Sequence, residues 1–177
     1  MRLLKRQFGA NFARVFSKSS ILMRDLAECR RRGVRIRRVT TTCQAYSIPA
    51  RKIIGIGVKC SRSYQLTAFA HEMYHSLYGT APLDFVPAGM SERQFVNLLL
   101  EEETDSIVHE MKVVEELLAA KVRLDSETMR YYKRWRRGGR PAIRRMMTTL
   151  DNSVTGERYT QYYARLYREA LEKQRVA

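Results

Sequence analysis

Ser61-Arg-Ser-Tyr-Gln-Leu-Thr-Ala-Phe-Ala-His71-Glu72-Met-Tyr-His75-Ser-Leu-Tyr-Gly79 is the stretch on which the reading of this chain turns. Ser61 or Ser63 can cap a helix that begins near Tyr64. Leu66, Phe69, Ala70, Met73 and Leu77 give it one apolar stripe, and Gly79 suits its end. Within that helix the two imidazoles of His71 and His75 stand one turn apart and project the same way. They can bind one metal ion together, with Glu72 placed to meet a water on that ion.

Outward from this helix, the chain reads as alternating segments. Ile21 to about Arg32 forms a helix capped by Ser19-Ser20 and stopped by Gly33. Val34 to Cys43 alternates and is rich in β-branched residues, so it reads as a strand. Lys52 to Cys60 reads as a second strand, with Gly55 and Gly57 letting another backbone come close. The spacer between the two suits an antiparallel hairpin. Thr80 to Gly89, with Pro82 and Pro87, reads as a loop. Ser91-Glu-Arg-Gln94 is a capping box that opens a long helix from Glu92 to about Lys121. Another helix runs from Asp125-Ser126 through Trp135 and is ended by Gly138-Gly139. Pro141 suits the first turn of the next one. Asp151 to Gly156 is a turn, and the last helix spans Glu157 to about Gln174. The expected fold is α+β, predominantly helical, with a small antiparallel sheet packed on the histidine helix. Three parts are expected: a basic amphipathic arm (1–18), a core (19–124), and a basic, tyrosine-rich helical extension (125–177).

Charge follows those parts. Residues 1–38 carry net +10, residues 39–129 net −4 and residues 130–177 net +9. The histidine helix therefore lies in the one acidic part of a chain whose net charge is +15. Such a field favours an anionic partner, whether nucleic acid, an acidic protein or a membrane surface. No apolar run approaches the ~20 residues needed to cross a bilayer. The N-terminal segment lacks the apolar core and cleavage site of a secretory signal. Three scattered cysteines, Cys29, Cys43 and Cys60, favour a reducing, cytoplasmic compartment and read as buried small hydrophobes. Delivery into another cell or association with a phage is compatible with this.

A catalytic metal site needs a third protein ligand. The only other histidine is His109, so the choice lies between it and a carboxylate, and the long helix offers Glu101-Glu102-Glu103-Thr104-Asp105. Apolar periodicity (Phe95, Val96, Leu99, Val113, Val114, Leu117) turns Glu103 inward, while Leu98, Leu100, Val108 and Met111 widen the stripe. His109 reads as a structural or supporting residue, or as a donor to a transition state.

Here the sequence resembles the gluzincin metallopeptidases, which combine HExxH with a downstream Glu-x-x-x-Asp that in many members reads Glu-x-Glu-Ala-Asp. The resemblance covers roughly Ile21 to Ala120 and is to the small, soluble members of the group. It implies a zincin-like core and one Zn2+ per chain held by His71, His75 and Glu101, while the apolar periodicity keeps Glu103 or Glu102 as the alternative. It further implies that Asp105 orients a liganding histidine and that Glu72 acts as general base in hydrolysis of a protein or peptide substrate. Substrate would lie beside the strand Lys52 to Lys59. An oxyanion donor could come from Tyr78, His109, Tyr159, Tyr162 or Tyr163, although a tyrosine stripe at helical spacing also serves core packing. Residues 130–145 hold eight Lys/Arg and no acid, with Tyr131, Tyr132 and Trp135 interleaved. Arg134, Arg136, Arg137 and Arg140 are candidates for anion binding, against a solvated helix face. Two further classes stay open: a nucleic-acid-binding protein on the same scaffold with a structural or lost metal, and a membrane-surface or secretion-associated adaptor.

Overall fold

The computed structural model describes residues 1–42, 44–80, 85–152 and 155–176. Cys43 and Pro82, for which burial and a loop were expected, lie outside them. Among the described residues the chain is mostly helical with one small mixed sheet, an α+β arrangement. No helix is long and apolar enough to cross a membrane.

The basic N-terminal segment forms two short helices, α1 (Arg2–Phe8) and α2 (Ala10–Phe16). They are broken at Gly9, whose φ of 90° lies in the left-handed region open to glycine. Phe12 and Phe16 share a face of α2, and the turn at Gly9 brings Phe8 beside them, its ring centroid 5.2 Å from that of Phe12. The three rings pack on Phe69, with ring centroids 5.2, 5.6 and 5.4 Å away. The apolar face of this arm is thus spent on the chain's own core. α3 (Ser20–Arg31) follows, its first turn closed by Ser19 Oγ accepting from the Leu22 amide. Cys29 is fully buried there, as expected, whereas Cys60 is only half-buried.

The sheet corrects the expected hairpin. It has three strands, β1 (Arg35–Val39), β2 (Ala45–Ile48) and β3 (Ile53–Gly57), in the order β1-β3-β2. β1 pairs with β3 in parallel, Arg35 opposite Ile53. β2 pairs with β3 antiparallel, Ile48 opposite Ile53. The reason lies in burial. All five residues of β3 are buried, so this apolar strand takes the centre, where both faces are covered. β1 alternates around arginines and suits an edge. Gly55 receives the ring of Tyr46 from β2 where a side chain would otherwise sit; the close approach is to an aromatic, not to a backbone.

Four long helices follow. α4 (Arg62–Tyr78) carries the two histidines and is capped by Ser61 Oγ, which accepts from the Tyr64 amide at 3.1 Å. α5 (Glu92–Ala119) opens with the expected capping box of Ser91 and Gln94. α6 (Ser126–Met147) is capped by Asp125 and bends at Gly139 (φ 58°, ψ −155°), just before Pro141. The expected break between two helices falls at this kink, where Gly139 is not helical. α7 (Tyr159–Val176) closes the chain.

Two apolar clusters hold these elements. One joins α1 to α4, β1 and β3 with Val113 and Leu117 of α5. The other joins Phe95, Leu99, Leu100, Ile107, Met111 and Val114 of α5 to α6 and α7. α5 is thus buried on several sides, with the histidine helix on one and the basic extension on another.

Candidate metal centre

His71 and His75 meet one turn apart on α4, their Nε2 atoms 3.1 Å from each other. Glu103 of α5 reaches both, with Oε2 at 3.3 Å from His71 Nε2 and Oε1 at 3.6 Å from His75 Nε2. These are the only three His, Cys, Asp or Glu residues that gather closely enough to hold one metal ion among the described residues. Tetrahedral zinc with bonds of about 2.0–2.2 Å separates its ligand atoms by about 3.3–3.6 Å. Glu103 Oε1 accepts a hydrogen bond from the Tyr163 hydroxyl at 2.8 Å, while Oε2 is buried with no hydrogen-bond partner. A carboxylate that reaches two imidazole nitrogens and keeps one buried oxygen without a hydrogen bond has the donor chemistry of a metal site, so the residues present fit a zinc ion.

The third carboxylate is therefore Glu103, which corrects the expectation of Glu101. Glu101 is 43% exposed and pairs with Arg140 and Arg144 of α6, at 2.5 and 2.6 Å. Asp105 is corrected in the same way: it pairs with Arg140 at 2.6 Å and orients no histidine. The reason is the rotation of α5, whose apolar stripe already turned Glu103 inward. The fixed spacing of the resemblance pointed two residues too early.

Other groups orient the two rings. Glu102 Oε1 sits 2.9 Å from His75 Nδ1, and its Oε2 accepts from the Thr80 amide at 2.9 Å. Gly79 makes room for this: a side chain there would strike Glu102 and the His75 carbonyl. On the other ring, His71 Nδ1 has Ser106 Oγ at 3.2 Å and Glu110 Oε2 at 3.6 Å. Such outer partners fix tautomer and ring orientation at metal sites. Sequence reasoning missed Ser106 and Glu110, yet both follow Glu103 at helical spacing on the same face.

The charges respond to one another. Burial would lower the His71 pKa, but Glu103 and Glu110 outweigh it and hold it well above the usual imidazole value. Burial would raise Glu103, but His71 and the second imidazole overcome it and hold its pKa near about 2. Glu72 is buried beside them, and burial pushes its pKa up.

These groups line a cleft of about 470 Å³ between α4, α5, α7 and β2. Glu72, Glu102, Glu103 and Glu110 face it, and no Lys or Arg does, in a chain with 33 of them. Tyr159, Tyr162 and Tyr163 of α7 line it too. The other donor candidates lie elsewhere. His109 Nε2 is 2.6 Å from the buried Asp25, and the Tyr78 hydroxyl donates to the same carboxylate at 3.2 Å. That cluster ties α3 to α4 and α5 and does not line the cleft. Among the anion-binding candidates, Arg136 pairs with Glu115 and Arg140 with Asp105 and Glu101. Arg134 and Arg137 line a separate concavity on α6.

Comparison with protein-family models, with curated proteins and with solved structures finds no match for this chain.

Proposed function

We propose that the chain is a zinc-dependent metallopeptidase with a zincin-like core, its metal held by His71, His75 and Glu103. The observation that carries this reading is the buried Glu103 carboxylate between two imidazoles, its Oε2 by His71 and its Oε1 by His75, with the buried Glu72 next to them on the same helix. When bound, zinc supplies Lewis acidity that polarises a carbonyl and brings the pKa of water to about 7. The chain's own residues do the rest. The Glu72 carboxylate accepts the proton of the attacking water and hands it to the leaving amine. Its raised pKa suits both halves of that task. Glu102 and Ser106 hold the imidazoles in orientation. Tyr163 is committed to Glu103, which leaves Tyr159 and Tyr162 as the α7 hydroxyls in the cleft that could donate to the developing oxyanion.

Substrate binding follows from the sheet. β3 is internal, so the strand expected to receive a peptide is not a free edge. β2 is an edge and contributes Ala45, Tyr46 and Ser47 to the cleft, so an extended peptide would pair there.

Metal content and proteolysis test the reading together. Purified protein is expected to hold one zinc per chain, and His71→Ala to lose it. Glu72→Gln is expected to keep the zinc and to cleave an unfolded general substrate about 10²–10⁴-fold more slowly. Zinc well below one per chain would sink the metal assignment. Zinc at full load with wild-type cleavage by Glu72→Gln would sink the mechanism.

A further inference from the structure

The eight Lys/Arg of residues 130–145 divide into two sets on α6. Arg136, Arg140 and Arg144 recur every fourth residue and turn toward α5, where Glu115, Asp105 and Glu101 neutralise them at 2.9, 2.6 and 2.6 Å. The other five, Arg130, Lys133, Arg134, Arg137 and Arg145, line a concavity of about 790 Å³ that spans the bend at Gly139. Among the described residues no acidic side chain lines it, and of the five only Arg130 has a carboxylate within ion-pairing range, that of Glu127 at 3.7 Å. Five like charges in one concavity repel one another, and the described lining supplies no counter-charge. An external anion would neutralise them.

We propose that this groove binds single-stranded nucleic acid through its phosphates. The cations are strung along both sides of the bend, so they match several successive phosphates better than one isolated anion. Arg130 lies over the ring of Tyr131, with 5.5 Å to the centroid, and Tyr131 itself lines the groove. A guanidinium stacked on a tyrosine offers a base the plane it stacks on. Every base has a face that can use this plane, whereas a poly-glutamate chain has none. The groove is a separate concavity from the metal cleft, and the proposal does not depend on peptidase activity.

The test is fluorescence anisotropy of the full chain with a labelled single-stranded RNA of mixed sequence, about 20 nucleotides long, so that it exceeds one binding site. It is run from about 50 to about 200 mM salt. The groove variant is Lys133→Gln with Arg134→Gln and Arg137→Gln, all three exposed. The control is Arg35→Gln with Arg37→Gln and Arg38→Gln on β1, which are exposed and remove the same charge. Three lost phosphate contacts are expected to take about 2 units off the slope of log K against log salt, at about 0.7 per contact. Affinity at the low-salt end is expected to fall at least about tenfold for the groove variant and less than about threefold for the control. Should thermal melts show the triple variant unfolded, Arg134→Gln alone carries the test, with an expected slope change of about 0.7. Absence of binding by wild type, an equal loss in both variants, or a groove variant that loses poly-glutamate but keeps RNA would each overturn the proposal.

Discussion

Glu101 and Glu103 stand two residues apart on α5 and live in different chemistries. Glu103 is turned inward against two imidazoles and the Tyr163 hydroxyl, with one oxygen left without a hydrogen-bond partner. Glu101 faces outward and is held by Arg140 and Arg144 of α6. Both carboxyls are acidified, but by different partners. Glu101 is lowered by its two arginines against a burial penalty, and Glu103 by imidazole against a larger one. Two residues of helix are a rotation of about 200°. The rotation of α5 thus decides which acid serves the cleft and which one fastens the basic extension.

The sharpest way to break this comparison is to remove each carboxylate and measure zinc affinity by competition with a chelator. Glu103→Ala is expected to lose more than about 100-fold, beyond the range for an outer partner, while Glu101→Ala leaves affinity unchanged. If Glu101→Ala loses the metal and Glu103→Ala keeps it, the assignment of the two faces is wrong. Next in size is Glu102→Ala, which removes the carboxylate against His75 Nδ1 and is expected to cost about 10–100-fold in zinc affinity by the same assay.

A smaller effect reads the coupling of Glu103 to His71 by pH in the metal-free protein. Glu103 has its folded pKa depressed to about 2, so its stabilisation is complete above about 4.5 and is lost as pH falls through that folded value. His71 has its folded pKa raised, so its stabilisation is complete below about 6.5 and is lost as pH rises through the folded value. Both contributions are complete between those limits. Calorimetric melting of chelator-treated protein across pH should show a maximum there that Glu103→Gln flattens. An unchanged profile in Glu103→Gln would disprove the coupling. Smallest is Arg140→Gln, which breaks half-exposed ion pairs; an unfolding change below about 1 kcal/mol and unaltered zinc affinity are expected from denaturant titration and metal analysis.

Much of this arrangement was legible in the chain. The serine cap, the apolar stripe and Gly79 put the histidine helix at Arg62–Tyr78, two residues longer than read. Apolar periodicity along α5 pointed at Glu103, and the shorter motif of the resemblance drew attention to Glu101 instead. The sheet was less legible. Ala45–Ile48 is four residues long and only partly buried, too short to declare itself as a strand, and parallel pairing of β1 with β3 leaves no local signature. The Tyr163–Glu103 hydrogen bond joins residues 60 apart, and such a contact arises only when α7 docks on α5. The arginine run was visible as charge. Its division into a set paired with α5 and a set lining the groove needed the orientation of α6.

The chain has a single tryptophan, Trp135, and it lies on α6, between Arg134 and Arg136 and 5.8 Å from the ring of Tyr132. The metal cleft has none and is lined instead by Tyr46, Tyr64, Tyr159, Tyr162 and Tyr163. The tyrosines are divided, five lining the cleft and Tyr131 and Tyr132 on α6, so their absorbance does not single out either region. Tryptophan emission does: it reports on the basic helix alone. A titration followed at that emission distinguishes a ligand that settles on α6 from one that enters the cleft, without any label being attached.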